Sequence, residues 1–225
     1  MIGWAMMNAS RPKVMITGTT AVLGSAIMSL AHEWPQWSLI PAPHHELDLT
    51  DKQATIDFIR GHSITRIIDL AALSGGVELT RQYPARILRD NTLMMFSVLE
   101  AAVACGVRKV ILTLSSGAYP AQVPQPNVEA QLHDGPPHDS AYSYGFAKRL
   151  VEPAIRAYRA EHGLSVIGLV PSGIFGECDN FNERDCTWIA GLLRRFCEWT
   201  PERGDLVIWG DGTPIREITD AQDMA

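Results

Sequence analysis

The chain has 225 residues, of which 46% are hydrophobic, and carries a formal net charge of −6. This length and composition allow one sizeable hydrophobic core, and the acidic balance without a long basic run argues against a nucleic-acid-binding or membrane-surface protein. No apolar stretch approaches the roughly 20 residues that a membrane-spanning helix needs. The four cysteines form no Cys-x-x-Cys pair and match no zinc template, so we expect no metal site and a reducing, cytoplasmic setting.

Strand and helix patterns alternate along the chain after a loosely patterned leader at residues 1–12. In chain order, we predict strand 13–17, helix 22–32, strand 37–40, helix 51–60, strand 64–70, helix 84–105, strand 110–114, helix 142–162, strand 165–170, helix 185–199 and strand 206–209. Thr50 is the expected N-cap of the second helix, and Pro153 is expected to kink or divide the fourth. This order predicts an α/β fold, a Rossmann-like doubly wound parallel sheet with helices on both faces.

The first predicted strand runs directly into a short segment bounded by two glycines. The segment consists of Gly18, Thr19, Thr20, Ala21, Val22, Leu23 and Gly24. Glycine lets a strand turn sharply into a helix, and the helix N-terminus attracts the negative charge of a pyrophosphate. Ala21 occupies the place of the middle glycine of the usual pattern, where its methyl group narrows the approach without blocking it. The segment indicates dinucleotide binding, with an ordinary strand-to-helix turn as the alternative.

Asp48 and Leu49 follow the second predicted strand. In a dinucleotide-binding fold, an acidic residue at this point can contact the adenine moiety. Taken alone, an aspartate at position 48 is more often a residue that starts a helix.

A second pattern combines Tyr144 with Lys148, four residues later, on one face of a predicted helix. A neighbouring ammonium is expected to lower the pKa of the phenol, so that the tyrosine exchanges a proton with a carbonyl or hydroxyl group. Ser115 and Ser116 end the preceding strand, where a hydroxyl can bind the same oxygen. Asn91, in the long helix, is a candidate fourth member, and a solvated or capping amide is its alternative.

Together these residues resemble the extended short-chain dehydrogenase/reductase family, also described as the NAD-dependent epimerase/dehydratase family. Within it, the chain is most similar to the GDP-L-fucose synthase branch, from about Lys13 to the end of the sequence. The matching stretches are 70–76 (LAALSGG), 83–85 (YPA), 115–116 (SS) with 119–120 (YP), 192–196 (LLRRF) and 207–217 (VIWGDGTPIRE).

The resemblance implies an enzyme that reduces the C4 ketone of a GDP-4-keto-6-deoxy sugar by hydride transfer from NADP(H). Ser115, Tyr144 and Lys148 would be catalytic, with Tyr144 supplying the proton and Lys148 also holding the nicotinamide ribose. The implied cofactor contacts are the 18–24 segment, Asp48, Leu49, Ala71, Ala72, Asn91, Tyr144, Lys148, Pro171 and Ile174. The implied substrate contacts are Ser116, Gly117, Thr187, Arg195, Trp209 and Arg216. The implied assembly is a homodimer through helices 84–105 and 142–162, and packing of the same apolar faces on the sheet is the alternative.

One departure from the family concerns the epimerising acid/base pair, a cysteine and a histidine. Gly117 and Thr187 stand at these places, and neither exchanges a proton with a sugar carbon at neutral pH. The first hypothesis is therefore a nucleotide-sugar 4-ketoreductase without epimerase activity. A full epimerase-reductase stays open as a second hypothesis if Cys178, Cys186 or Asp185 substitutes for the missing pair. Arg195 also has an alternative, an ordinary surface charge at a helix end.

A second departure concerns the cofactor. Thr20 and Ala42 replace the family's arginines near the adenosine 2′-phosphate, and His44 and His45 lie nearby in the sequence. NADP(H) is the expected cofactor from the resemblance, and NAD(H) stays open.

A third departure is length, since the sequence ends at residues 223–225, where the family enters another helix. We assign 13–180 to the dinucleotide-binding domain and 181–225 to the beginning of a small C-terminal substrate-binding part. A third hypothesis is therefore a non-catalytic dinucleotide-binding or dimerising remnant. An epimerase or dehydratase that acts on another nucleotide-sugar is a further alternative.

Overall fold

The main sheet of the computed structural model, which describes residues 11–208 and 210–225, has five parallel strands. They are β1 (Lys13–Thr17), β2 (Ser38–Ala42), β3 (Arg66–Asp69), β4 (Lys109–Thr113) and β5 (Ser165–Leu169). Their order is β2-β1-β3-β4-β5, so the chain changes direction across the sheet between β1 and β3. In open sheets of this kind, ligands bind beyond the carboxyl ends of the strands at this point.

Within residues 11–208 and 210–225, eight α-helices and a second sheet surround the main sheet. The helices are α1 (Val22–Ser29), α2 (Lys52–His62), α3 (Val77–Gln82), α4 (Pro84–Ala104), α5 (Tyr142–Arg149), α6 (Val151–His162), α7 (Trp188–Glu198) and α8 (Ala221–Met224). The second sheet pairs β6 (Ile174–Phe175) with β7 (Thr219–Asp220) in parallel. Because α8 packs against α1, the end of the described chain returns to the first helix. No helix among the described residues is both long and apolar enough to cross a bilayer.

The core has two layers, one on each face of the main sheet. Met15 of β1 belongs to the larger cluster, which includes Val98 and Leu99 of α4. Val14 and Ile16 point to the opposite face and pack with Ile27 of α1. Burial on both faces explains why β1 is a continuous apolar run. The predicted Rossmann-like doubly wound α/β fold is thus confirmed.

The structure corrects several predicted element boundaries. The cap of α2 is Asp51, whose side chain accepts a hydrogen bond from the backbone N–H of Ala54, so the assignment to Thr50 was wrong. The predicted helix 142–162 is divided at Leu150 into α5 and α6, which places Pro153 in the first turn of α6, where proline is tolerated.

The predicted strand at 206–209 was also wrong over its described residues, since 206–208 belong to no strand or helix. The sequence pattern did not predict α3, β6, β7 or α8. Residues 1–10, most of the predicted leader, and Trp209 lie outside the described residues.

Candidate active site

The predicted site residues follow the carboxyl ends of four neighbouring parallel strands. The 18–24 segment follows β1, Ala71 and Ala72 follow β3, Ser115 follows β4, and Pro171 follows β5. Because these strands run parallel, the segments emerge at one edge of the sheet. The topology therefore brings the predicted cofactor and catalytic residues to the same side of the fold.

The turn between β1 and α1 depends on its two glycines. Gly18 has φ of +63°, and a Cβ there would lie 3.0 Å from the carbonyl carbon of Leu70. A Cβ on Gly24 would overlap the carbonyl oxygen of Gly18. Ala21 is the N-cap of α1 and provides no side-chain cap. The first backbone N–H groups of α1 thus keep the positive end of the helix open to an anion, which fits a pyrophosphate.

Thr17 joins the turn to the segment that follows β3. Its hydroxyl donates to Asp69 Oδ1 at 2.6 Å and accepts from the backbone N–H groups of Leu70 at 2.9 Å and Ala71 at 3.0 Å. These bonds fix the start of the segment that contains Ala71 and Ala72 against the end of β1.

Asn91 holds the same segment from α4. Its Oδ1 accepts from the Leu73 N–H at 3.0 Å, and its Nδ2 donates to the carbonyl oxygens of Leu73 at 3.0 Å and Ile87 at 2.8 Å. The side chain is buried and both amide hydrogens have acceptors in the chain. The alternative of a solvated amide was therefore wrong, and Asn91 holds the loop residue Leu73 against α4. Its implied roles as a cofactor contact and as a fourth member of the catalytic set stay predictions.

Ser115 and Tyr144 meet where the end of β4 packs against α5. The Ser115 hydroxyl oxygen accepts from the Gly117 N–H at 3.1 Å, and its side chain is hydrogen-bonded to Tyr144. This approach requires Gly145, because a Cβ there would lie 2.5 Å from the Gly117 carbonyl oxygen. Sequence reasoning overlooked Gly145, although a glycine directly after the candidate tyrosine was the available signal.

The Tyr144 phenol is more basic than predicted. Burial raises its pKa to about 12, and the hydrogen bond to Ser115 only partly opposes that rise. The expectation that Lys148 lowers the phenol pKa was wrong for this structure. The Lys148 ammonium instead donates to the Thr113 carbonyl oxygen at 3.0 Å and to its hydroxyl at 3.4 Å.

Lys148 is a buried charge at the base of the site, with 7% of its surface exposed. Burial lowers its pKa, and the negative charge of Asp69 opposes that shift. An ammonium group has three N–H donors, and the two oxygens of Thr113 accept at most two of them.

The predicted substrate residues lie on less regular segments. Gly76 donates its N–H to the Asp185 carbonyl oxygen at 2.8 Å, so the loop before α7 rests on the segment after β3. Thr187 is the N-cap of α7, and its hydroxyl accepts from Ala190. Ser116 is exposed beside Ser115.

The two candidate arginines bind main-chain oxygens. Arg195 donates to the Val207 carbonyl oxygen and lines an open depression of about 300 Å³ with Trp199 and Arg203. Arg216 is exposed and donates to the carbonyl oxygen of its neighbour Ile215 at 3.0 Å. Trp209, the third predicted residue of this group, lies outside the described residues.

The segment after β2 contains the residues predicted to lie near the adenosine of a cofactor. Asp48 accepts from the Thr50 N–H at 2.9 Å and hydroxyl at 2.7 Å, and these bonds lower its pKa. Leu49 is buried in the core cluster. His44 is exposed, and Ala42, whose place the family gives to an arginine, is buried.

Comparison with known proteins finds relatives along almost the whole chain. A probable GDP-L-fucose synthase of Drosophila melanogaster is 32% identical over 224 residues, which cover 95% of this chain and 69% of that protein. The GDP-L-fucose synthase of Escherichia coli K12 is 31% identical over 217 residues, which cover 96% of this chain and 68% of that protein. The expected resemblance is confirmed.

Two solved structures extend the comparison. A GDP-L-fucose synthetase from Naegleria fowleri bound to NADP superposes with a TM-score of 0.87 at 26% identity, covering 96% of this chain and 71% of that one. A GDP-mannoheptose C4 reductase from Campylobacter jejuni with NADP bound has a TM-score of 0.74 at 25% identity. The match covers 84% of this chain and 56% of that one. Residues 14–225 match the family model described as "NAD dependent epimerase/dehydratase family". The chain therefore belongs to the NAD-dependent epimerase/dehydratase family of extended short-chain dehydrogenase/reductase enzymes.

Proposed function

We propose that this chain is an NADP(H)-dependent reductase of the GDP-L-fucose synthase type, which reduces the C4 ketone of a GDP-4-keto-6-deoxy sugar without epimerising C3 and C5. The observation that carries the proposal is the meeting of Ser115 and Tyr144 at the carboxyl edge of the sheet, one helical turn from the buried Lys148. The names of the relatives and of both solved structures support a GDP-linked sugar as substrate, and the NADP bound in both structures supports the cofactor.

A nicotinamide dinucleotide fits the residues at this edge. The 18–24 turn and the N-terminus of α1 would hold the pyrophosphate, and the remaining N–H of Lys148 would hold the nicotinamide ribose. Asp48, Pro171 and Ile174 would contact the rest of the cofactor. When bound, the dinucleotide supplies the hydride for the reduction. NADP(H) is favoured by the relatives, and NAD(H) is the alternative because Thr20 and Ala42 provide no positive charge.

Tyr144 is the proton donor in this proposal. With a pKa of about 12, the phenol stays protonated at neutral pH, and it can release its proton only to a strong base. The oxygen of a ketone under reduction becomes such a base as it acquires alkoxide character. The raised pKa therefore keeps the phenol in the protonated form from which reduction starts. Ser115 orients the phenol and binds the same substrate oxygen.

The absence of epimerisation follows from the side chains at two positions. Gly117 has no side chain, and the Thr187 hydroxyl caps α7. The Cys186 thiol faces the Glu183 carbonyl oxygen at 4.0 Å, and Cys178 is exposed in a turn with φ of +61°. We therefore favour the reductase over a full epimerase-reductase.

A second candidate is a dinucleotide-binding protein without turnover. It is favoured by the position of Arg216, which is exposed and bonded to its own neighbour. Another nucleotide-sugar, reduced or epimerised at the same triad, is the remaining alternative.

The test is to supply the purified chain with GDP-4-keto-6-deoxymannose and NADPH and to follow the absorbance of the reduced cofactor. The proposal predicts oxidation of NADPH by the unaltered chain and a loss of about 10²–10⁴-fold in kcat for Tyr144→Phe. Binding of NADPH without oxidation supports the non-catalytic candidate. NADH in place of NADPH identifies the preferred cofactor, and a UDP-linked keto sugar tests the GDP preference.

We further propose a homodimer in the cytoplasm, without nucleic acid or membrane partners. Exposed leucines support pairing through the long helices, namely Leu88 and Leu93 of α4 and Leu150 between α5 and α6. The four free cysteines support a reducing compartment. Sedimentation tests the dimer by comparing the size of the particle formed by the unaltered chain with that formed by Leu93→Glu.

A further inference from the structure

Arg149 is a buried charged residue that the proposed reaction has so far not used. It directly follows Lys148 on α5, and only 7% of its surface is exposed. We propose that Arg149 is a positioning residue, whose guanidinium group holds the turn that carries Ser115 against α5 and so sets how Ser115 meets Tyr144. The inference rests on the proposed function, because Ser115 and Tyr144 act there on one substrate oxygen.

The guanidinium group of Arg149 joins two separate stretches of the chain to α5. Its Nε and Nη2 both donate to the Ala118 carbonyl oxygen, Nε at 2.8 Å, and its Nη1 donates to the Gly135 carbonyl oxygen at 2.7 Å. A guanidinium group is planar and holds its N–H groups in fixed directions, so it can bond to two acceptors at once with a defined geometry. Ala118 and Gly135 are therefore held at defined places relative to the helix.

The bond to Ala118 acts on the turn that carries Ser115. Ser115 is the N-cap of the short turn Ser116–Ala118, and its side-chain oxygen accepts from the Gly117 N–H at 3.1 Å. The Ala118 N–H donates to the Ser115 carbonyl oxygen at 3.0 Å, while the Ala118 carbonyl oxygen accepts from Arg149. Ala118 thus connects the arginine directly to the main chain of the catalytic serine.

Helical spacing places Arg149 beside the reactive face of α5. Residues four apart lie on one face of a helix, so Tyr144 and Lys148 share one face, and Gly145 and Arg149 share the adjacent one. A Cβ on Gly145 would lie 2.5 Å from the Gly117 carbonyl oxygen, so α5 touches the turn there. The glycine permits this close approach, and the arginine one helical turn later bonds across the same contact.

The bond to Gly135 holds the other side of the contact. Pro120 and Pro137 form an isolated antiparallel β-bridge, which joins the start of the loop between β4 and α5 to its end. A Cβ on Gly145 would lie 2.7 Å from the Pro137 Cβ, so the end of the loop also packs on α5. Arg149 therefore fixes both ends of this loop to the helix that carries the proton donor.

An apolar side chain at position 149 would pack α5 against the loop without a buried charge. Removing an ionised group from water is costly unless a charge or hydrogen bonds compensate the loss of hydration. Within residues 11–208 and 210–225, Arg149 forms no ion pair with a carboxylate, and its acceptors are main-chain oxygens. The Phe146 ring lies beside the guanidinium group, 5.2 Å from its carbon to the ring centroid. The direction of its bonds, rather than its packing, therefore distinguishes the arginine.

The experiment replaces Arg149 with lysine, which keeps the positive charge and removes the planar group. The matched control is Arg159→Lys, since Arg159 also donates to a main-chain oxygen, that of Val166 at 2.8 Å, and joins α6 to β5. Both changes remove guanidinium–carbonyl bonds, so a general loss of stability affects both variants. Three quantities are measured: kcat with GDP-4-keto-6-deoxymannose, the Kd for NADPH, and the hydrogen exchange of the Gly117 and Ala118 amides.

We expect Arg149→Lys to lower kcat by about 10²-fold, because a displacement of about 1 Å at a catalytic group can cost that much. The Kd for NADPH should stay nearly unchanged, since Lys148 keeps its own bonds to Thr113. The Gly117 and Ala118 amides should exchange faster, because the turn opens more often when Arg149 no longer holds it. Arg159→Lys should leave kcat and this exchange unchanged.

Two outcomes overturn the inference. One is exchange of the Gly117 and Ala118 amides that is the same in Arg149→Lys as in the unaltered protein. The other is an equal fall in kcat for Arg149→Lys and Arg159→Lys, since that loss would reflect stability alone. Because the exchange needs neither cofactor nor turnover, it is distinct from the reductase assay, whose failure in the unaltered chain would overturn the proposed function.

A measurement on the unaltered protein covers the case in which Arg149→Lys does not fold. Nuclear magnetic resonance of protein with isotope-labelled arginine detects the Nε–H of Arg149, which is identified by its contact with the Phe146 ring. Slow exchange of this hydrogen with water supports the inference, because the bond to Ala118 protects it. Rapid exchange overturns the inference, because a guanidinium group that leaves Ala118 freely does not position the turn.

Discussion

Gly145 lies so close to Gly117 that a Cβ on residue 145 would be 2.5 Å from the Gly117 carbonyl oxygen. The same replacement would place that carbon 2.7 Å from the Cβ of Pro137. The glycine directly after Tyr144 therefore sets how closely α5 approaches the end of β4, and with it the hydrogen bond between Tyr144 and Ser115.

Gly145→Ala should separate Tyr144 from Ser115 while the rest of the fold remains. A displacement of about 1 Å at a catalytic group can cost about 10²-fold in rate, so we expect a fall in kcat of that order with NADPH affinity nearly unchanged. Gly61→Ala is the control, since a Cβ there meets nothing within 4 Å. Equal kcat values for the two variants would contradict the assignment of the Tyr144–Ser115 contact to catalysis.

Gly24→Ala should affect cofactor binding first. The added methyl overlaps the Gly18 carbonyl oxygen, so the turn that faces the pyrophosphate must move. We expect a loss of about 3 kcal/mol in the free energy of unfolding and a rise of about tenfold or more in the Kd for NADPH. Fluorescence titration measures the Kd for NADPH, and thermal melting measures the loss of stability. An unchanged Kd would remove the 18–24 segment from the cofactor site.

Asn91→Ala should loosen the segment after β3. The Leu73 N–H and carbonyl oxygen lose their partners, and unpaired buried groups of this kind cost about 2–4 kcal/mol together. Asn127→Ala, at an exposed position bonded to Gln125, should change the free energy of unfolding by less than about 0.5 kcal/mol. Chemical denaturation measures the free energy of unfolding of both variants. A similar small effect at Asn91 would show that the segment is held by other contacts.

The pKa of Tyr144 is shifted upwards by burial. Since burial raises its pKa to about 12, the phenol should remain protonated where exposed tyrosines ionise, near pH 10. The difference between the ultraviolet titrations of the unaltered chain and Tyr144→Phe isolates this group. Ionisation of Tyr144 below pH 10 in the unliganded protein would contradict the burial argument and restore the original expectation of a lysine-lowered phenol.

Local patterns in the sequence were sufficient for the fold and for the identity of the catalytic candidates. The 18–24 turn and the Tyr144–Lys148 spacing are short-range features, and each lies within one turn or one helix. The prediction of a strand at 206–209 was wrong because strand pairing is not a short-range feature. Its apolar run resembles a strand, but pairing depends on a distant neighbour that the described residues 206–208 do not have.

The contacts that adjust the site are long-range and could not be predicted from a single sequence. Thr17 and Asp69 are 52 positions apart, and Thr113 and Lys148 are 35 apart. The sign of the Tyr144 pKa shift was wrong for the same reason. It depends on how deeply the phenol is buried, which spacing along a helix does not reveal.

The most direct test of reduction without epimerisation is to run the reaction with NADPH and GDP-4-keto-6-deoxymannose in deuterated water and to analyse the product. The account predicts a product hydroxyl at C4, consumption of one NADPH per product, and no deuterium at C3 or C5. Deuterium at either carbon would show that an acid/base pair survives despite Gly117 and Thr187. A C4 ketone recovered unchanged beside intact NADPH would contradict the reductase itself.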